Sequence, residues 1–208
     1  MSAGFIVTGT DTGVGKTVFS AALAGALQGY YWKPVQSGLD GETDSDAARR
    51  LSGLPPDHIL PEAYRLKLPA SPHISAAREG VAIEPERMSL PWGARPLIIE
   101  GAGGVLVPLS GCRLQVEQFL AWGLPLILCA PTSLGAINHT LLSLEALKAR
   151  RARLLGIAFI GEAAEEAERA IVSFGGAPRL GRLPFVAPLD AAPLAVAFRN
   201  NFDLAAFA

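Results

Sequence analysis

The sequence predicts an α/β fold, a largely parallel sheet with helices on both faces, in a single domain over residues 1–208. Three observations carry that prediction. Short apolar runs alternate with helical patterns along the chain, as they do when crossover helices join parallel strands. Each apolar run is continuous rather than alternating, which is expected of strands covered on both faces. The chain has 208 residues and is half apolar. That suffices for one domain with a sizeable core, or at most one and a half.

Taken in order, the strands read at residues 5–8, 30–35, 96–100, 124–130, 155–160 and a short piece near 179–183. The helices read at 16–27, 44–51, 114–121, 136–149, 163–174 and 191–201. The first strand, Phe5-Ile6-Val7-Thr8, runs into a glycine-rich turn and then an apolar helix. The second ends in Lys33-Pro34-Val35. The helix at 44 opens with the acidic turn Asp44-Ser45-Asp46, which favours a helix N-terminus. Residues 54–91 are rich in proline and polar side chains and read as an excursion between core strands, not a separate domain. In parallel sheets ligands sit beyond the carboxyl ends of the strands, so the loops that follow them carry the chemistry.

Composition removes several classes of function. The formal net charge is -1, which leaves no basic excess for nucleic acid. No apolar run approaches the roughly 20 residues that cross a bilayer, so no membrane partner is expected. The opening Met1-Ser2-Ala3-Gly4 has no basic leader, and no secretory signal is expected. Cys129 ends an apolar run and reads as a small buried hydrophobe, while Cys112 lies in a different context. A reduced, cytoplasmic protein is the economical reading. The lysines are only Lys16, Lys33, Lys67 and Lys148, among 18 basic residues. A lysine at a motif position therefore carries weight.

The turn after the first strand is Gly9-Thr10-Asp11-Thr12-Gly13-Val14-Gly15-Lys16-Thr17, followed by Val18 and the helix. Strand, glycine-rich turn, Gly-Lys-Thr and helix make the context of a P-loop NTPase-type fold. Backbone N–H groups of such a turn converge on phosphate oxygens. Lys16 would reach the β- and γ-phosphates, and Thr17 would offer its hydroxyl to Mg²⁺. The strict pattern places a glycine at residue 10, where Thr10 stands; Gly9 is one position early.

Lys33 closes a buried strand at the same edge of the sheet, and its charge either faces an anion or snorkels to the rim. The run Leu97-Ile98-Ile99-Glu100-Gly101-Ala102-Gly103-Gly104 puts a carboxylate after an apolar strand, followed by small residues that admit a ligand close to the backbone. Mg²⁺ takes one or two carboxylates beside phosphate oxygens and waters, and Thr17, Asp46 and Glu100 would satisfy that. Asp44, two residues from Asp46, stays open as the alternative.

The motif series Gly9-Thr10-Asp11-Thr12-x-Val14-Gly15-Lys16-Thr17, Lys33-Pro34-Val35-x-Ser37-Gly38, Ser71-Pro72-His73, Glu100-Gly101-Ala102-Gly103-Gly104 and Leu134-Gly135-x-Ile137-Asn138-His139 resembles that of the dethiobiotin synthetases. The resemblance runs from residue 5 to about 150 and then weakens. It implies an ATP-dependent ligase that takes 7,8-diaminononanoate and CO₂. One amine captures CO₂ as a carbamate, which attacks the γ-phosphate to give a carbamic–phosphoric anhydride. The second amine closes the ureido ring and expels phosphate. By the same resemblance, Lys16, Lys33 and Thr10 are catalytic, and Ser37 and Thr10 meet the diamine. Nucleotide is held by Thr12, Gly13, Val14, Gly15, Lys16, Thr17 and Val18, with Asp46, Glu100, Gly101, Ala102 and Gly103 beside the phosphates and metal. Gly135, Ala136, Ile137 and Asn138 form a helix start suited to the substrate carboxylate. In that family the carboxylate is held by the neighbouring subunit, which implies a homodimer.

Pro184, Phe185 and Val186 resemble the loop that packs on the base. Relatives often carry Asn-Asp after the fifth strand to read adenine; here Ala158-Phe159-Ile160-Gly161-Glu162 stands there. Weak discrimination among nucleoside triphosphates is therefore expected. The rival from another class is a P-loop switch ATPase of the partitioning or septum-positioning type. Residues 10–14 lack the extra lysine of that group, and the segment 200–208 has no basic residue for a membrane. A synthetase domain of the amidotransferase kind would need a glutaminase domain for which the chain has no room.

Overall fold

The computed structural model describes residues 4–91, 93–111 and 113–207. Cys112 and the opening Met1-Ser2-Ala3 lie outside the described residues. Seven parallel strands form the main sheet: β1 (Gly4–Gly9), β2 (Tyr30–Trp32), β4 (Ile59–Leu60), β6 (Leu97–Gly104), β9 (Leu126–Pro131), β10 (Leu154–Ile160) and β11 (Arg179–Leu183). Their order across the sheet is β11-β10-β9-β1-β6-β2-β4, and every neighbouring pair is parallel. The chain moves outward from β1 on one side, then returns to β9 on the other. That reversal opens a crevice at the carboxyl end of β1, the place where such sheets bind ligands.

Alternation along β1 divides the core into two. Phe5 and Val7 face one layer and Ile6 the other, since successive strand residues point to opposite faces. The first layer holds α1 (Lys16–Leu27), α2 (Asp44–Ser52) and α7 (Ala191–Asn201). Phe19, Phe198 and Phe202 pack there, the last two stacked at 4.6 Å. Full burial of each such ring is worth about 1.5–3 kcal/mol. The second layer holds α4 (Gln115–Trp122), α5 (Ala136–Ala149) and α6 (Glu165–Gly175), with Phe119, Leu144 and Ile171 against Ile99, Leu128 and Phe159.

Two strand expectations are corrected. Residues 30–35 do not form one strand. Proline at 34 has no N–H to give a ladder, and the chain leaves the main sheet after Trp32. It re-forms as β3 (Val35–Ser37), paired in parallel with β5 (Tyr64–Leu66) in a separate small sheet. The strand expected at 96–100 continues through Gly104 as β6, because Gly9 of β1 still pairs with Gly104. The excursion at 54–91 also supplies more than a loop. It contributes the edge strand β4, β5 and the short helix α3 (Pro72–Arg78). A small antiparallel pair, β7 (Pro108–Ser110) and β8 (Arg113–Leu114), follows β6. Among the described residues no helix is long and apolar enough to cross a membrane.

Candidate active site

The loop between β1 and α1 is shaped by what its glycines avoid. A Cβ at Gly9 would lie 2.7 Å from Cγ2 of Val14. Glycine is therefore needed at 9, one residue before the strict motif position, and Thr10 is free to present a side chain. Gly15 is the N-cap of α1 in the left-handed region, at φ 92°, with no side-chain cap. A Cβ there would also meet Cγ2 of Ile160 at 2.7 Å. The first-turn amides of α1 have no intrahelical acceptor, and together with the helix dipole they favour an anion in front of Lys16 and Thr17.

Lys16 is buried and its Nζ donates to the Asp11 carbonyl at 2.8 Å. Burial pulls its pKa below the ordinary lysine value, against the pull of Glu100 and with the push of Lys33. Lys33, at the point where β2 leaves the sheet, is buried too. Its Nζ pairs with Asp44 Oδ2 at 2.5 Å and Glu100 Oε1 at 3.0 Å. Burial opposes the charge on Lys33, yet Glu100 and Asp44 outweigh it and hold the ammonium above the usual lysine range. For Asp44 burial works upward, while Lys33 and the Thr17 hydroxyl prevail and lower its pKa.

Glu100 is only 1% exposed on β6. Its Oε2 accepts from the buried Tyr31 hydroxyl at 2.9 Å. Burial, then Glu100, raises the Tyr31 pKa well above normal, so Tyr31 remains a donor. Thr17 Oγ1 lies 2.8 Å from Asp44 Oδ1 and 2.9 Å from Glu100 Oε1. One hydroxyl proton cannot satisfy both carboxylates. Three hard oxygens with a single shared proton suit a divalent cation, and two carboxylates plus a hydroxyl fit the Mg²⁺ donor set.

Asp46 does not belong to this cluster, which corrects the expectation placed on it. Its Oδ2 accepts from the Thr43 hydroxyl at 2.6 Å and from the Thr43 amide, closing a capping box at the start of α2, and its Oδ1 accepts from Arg49. Asp44, at the first position of α2, takes the place facing the loop.

The other expected residues divide by position. A cavity of about 360 Å³ is lined by Thr12, Lys33, Ser37, Asp44, Ala102 and Gly103 among others. The buried hydroxyls of Thr10 and Ser37 have no partner. A second cavity, of about 580 Å³, lies between Thr10 and Asp11, the chain from Gly104 to Pro108, and the α5 face at His139 and Leu142. Gly101 lies where a Cβ would meet Phe119 at 2.7 Å. Gln115, a residue that sequence reasoning missed, braces this strand end: its Oε1 accepts from the Ala102 amide at 2.7 Å and its Nε2 donates to the Ala102 carbonyl at 2.9 Å. No local pattern marks it, since the clamp joins positions 13 apart. Val14 and Val18 pack partly into the α1 layer. Pro184, Phe185 and Val186 follow β11, and Phe185 is 72% exposed. Gly135 caps α5 in the left-handed region at φ 91°, while Ile137 and Asn138 are exposed; residues 135–138 line neither cavity.

A family model described as an AAA domain matches residues 3–193. The chain is 60% identical over 207 residues to the ATP-dependent dethiobiotin synthetase BioD of Rhodopseudomonas palustris (strain BisB5), covering 100% of this chain and 98% of that protein. It is 57% identical to the protein of the same name from Rhizorhabdus wittichii, over the full length of both. Among solved structures, a ParA family ATPase from Chlorobium tepidum TLS matches with a TM-score of 0.58 at 16% identity, over 88% of this chain and 84% of that one. The septum site-determining protein MinD from Pyrococcus horikoshii OT3 matches with a TM-score of 0.56 at 16% identity, over 88% and 82%. At that identity these two show a common fold alone.

Proposed function

The chain belongs to the family of ATP-dependent dethiobiotin synthetases, and from that premise we propose how its residues divide the work. The enzyme is a ligase of biotin biosynthesis that uses ATP to carboxylate 7,8-diaminononanoate with CO₂ and close the ring of dethiobiotin. The partitioning-type reading is less supported, because its relatives share the fold at low identity only.

The observation that carries our reading is the meeting of two buried lysines, two carboxylates and the Thr17 hydroxyl at the mouth of the phosphate loop. Lys16 and the first amides of α1 bind the β- and γ-phosphates. Lys33, kept charged by its two carboxylates, meets the negative charge that builds up as the carbamate attacks the γ-phosphate. Thr10 and Ser37 orient the carbamate and the diamine nitrogens with hydroxyls that have no other partner. Ala102 and Gly103, which line the smaller cavity and are braced by Gln115, leave room for the reacting groups beside the backbone, while Gly101 makes way for Phe119. Thr17, Asp44 and Glu100 would hold Mg²⁺, which when bound neutralises phosphate charge. No covalent enzyme intermediate is required; positioning and charge complementarity do the work.

The whole chain acts as one domain, in the cytoplasm, as a homodimer. The dimer is supported by the exposed Leu134, Ile137 and Leu142 around the start of α5. It fits also that residues 135–138 line neither cavity of their own chain, so that a helix start that holds the substrate carboxylate can serve the neighbouring site.

Lys33→Ala tests the reading. Turnover should fall by about 10² or more, while nucleotide affinity stays within a few-fold. Near-native turnover would return Lys33 to the status of a structural counter-ion for Glu100.

A further inference from the structure

Each turnover must take protons away from the diamine. An amine attacks CO₂ or the anhydride as the free base, and each attack leaves an extra proton on nitrogen. Beside the Lys33–Ser37 cavity stands a serine–histidine pair that touches neither the phosphate loop nor the carboxylates. Ser71 is the N-cap of α3, yet its side chain makes no capping bond, although serine is among the strongest capping residues. Its Oγ lies instead 2.9 Å from His73 Nδ1, with the Pro108 carbonyl further off at 3.4 Å. Pro72 between them fixes the first helical position. Ser71 lines both cavities, the one that holds Lys33 and Ser37 and the one that holds His73.

We propose that Ser71 and His73 are the proton exit for ring closure, an inference that rests on reading the Lys33–Ser37 cavity as the diamine pocket. The second amine nitrogen forms its bond to the carbamoyl carbon. The bond from that carbon to the phosphate oxygen breaks, and its electron pair leaves with phosphate. The surplus amine proton passes to Ser71 Oγ as the Ser71 O–H proton passes to His73 Nδ1. Serine is regenerated, His73 becomes imidazolium, and solvent in the larger cavity takes the proton afterwards. Ser71 is the catalytic contact. His73 touches no reacting atom and is a positioning residue: by accepting at Nδ1 it turns the serine proton away from the pocket, so that a lone pair faces the amine. Histidine is the residue type suited to exchange a proton near neutrality. The titratable groups facing the pair are Asp11 and His139 across the larger cavity and Lys33 and Asp44 across the smaller. Of the strands packed on α3, β3 and β7 carry no charge, and β5 carries Arg65, paired with Glu62, and Tyr64, bonded to the Glu84 carbonyl.

The test compares Ser71→Ala, Ser71→Thr, His73→Ala and His73→Asn in the intact enzyme. Dethiobiotin formation is followed for kcat, KM for ATP, and the kcat profile across about pH 5 to 8. Asparagine keeps a polar partner for Ser71 but has no site for a proton. We expect kcat to fall by about 10²-fold in Ser71→Ala, His73→Ala and His73→Asn, with KM for ATP within about twofold of wild type. Ser71→Thr should keep most of the rate, and the acid limb of kcat should vanish in His73→Asn. Native kcat in His73→Asn, or an acid limb that survives there, overturns the relay while the diamine pocket stands. Failure of the wild type to convert the diamine at all overturns the pocket and the relay together. A misfolded variant is recognised by loss of ATP binding, and the serine-to-threonine comparison then decides.

Discussion

At the scale of single residues, two aspartates two positions apart carry opposite duties. Asp44 faces Thr17 and Lys33, and Asp46 ties down the start of α2. Asp44→Asn should therefore raise the Mg²⁺ concentration needed for half-maximal activity strongly, while Asp46→Asn should leave it unchanged and lower stability only slightly, since Thr43 remains the N-cap and asparagine keeps an acceptor. A metal titration of both variants decides, and an Asp46 variant with the greater metal requirement would reverse the assignment. Both fit an acidic first turn, so composition could not separate them. The separating signal was Thr43, three residues before Asp46, which is the spacing of a capping box. Residues two apart on a helix point about 200° apart, so only one of them can face the loop. The lysines differ as sharply. Burial lowers the pKa of Lys16, so its charge is lost at a lower pH than that of a solvated lysine, whereas Lys33 stays charged. KM for ATP should therefore climb on the alkaline side earlier than an ordinary lysine would allow, and a flat KM up to about pH 10 would contradict it.

At the scale of elements, the phosphate loop was legible because its chemistry demands glycine at fixed spacing, and the one departure has a steric cause in the Gly9–Val14 contact. The break between β2 and β3 was legible in principle from Pro34, but the pairing of β3 with β5 depends on a contact across 26 intervening residues that no local pattern encodes. The nucleotide-base side stays spare. The Gly161 amide donates to the Leu183 carbonyl at 2.9 Å, and the Gly161 carbonyl accepts from Arg182 at 3.2 Å. The amide is thereby taken and the carbonyl keeps one lone pair, so Gly161 offers a base edge little to read, while the Phe185 ring is open to stacking. CTP and GTP should thus support turnover, with kcat/KM for ATP favoured by well under about 10³-fold. Phe185→Ala should raise KM for every nucleotide alike. A strong preference for ATP in parallel assays would mean that a polar reader comes from elsewhere.

At the scale of the whole molecule, the parallel sheet brings the ends of β1, β2 and β6 side by side, and that adjacency gathers Lys16, Lys33 and Glu100 from positions far apart in sequence. A chain that closes its site with the start of α5 from a neighbour should lose activity on dilution below its dimer dissociation constant. Replacing the exposed Leu134 or Ile137 by aspartate should yield monomers with raised KM for the diamine and unchanged ATP binding. Size-exclusion chromatography with kinetics checks this, and a fully active monomer would refute it. The most direct measurement of the central claim is phosphate release from ATP, followed with and without 7,8-diaminononanoate and bicarbonate, alongside dethiobiotin formed, in the wild type and in Lys33→Ala. The account predicts that phosphate and dethiobiotin appear one for one, that omission of either co-substrate stops both, and that Lys33→Ala binds ATP but forms neither at an appreciable rate. Phosphate release indifferent to the diamine, or ring closure undiminished without Lys33, would contradict it.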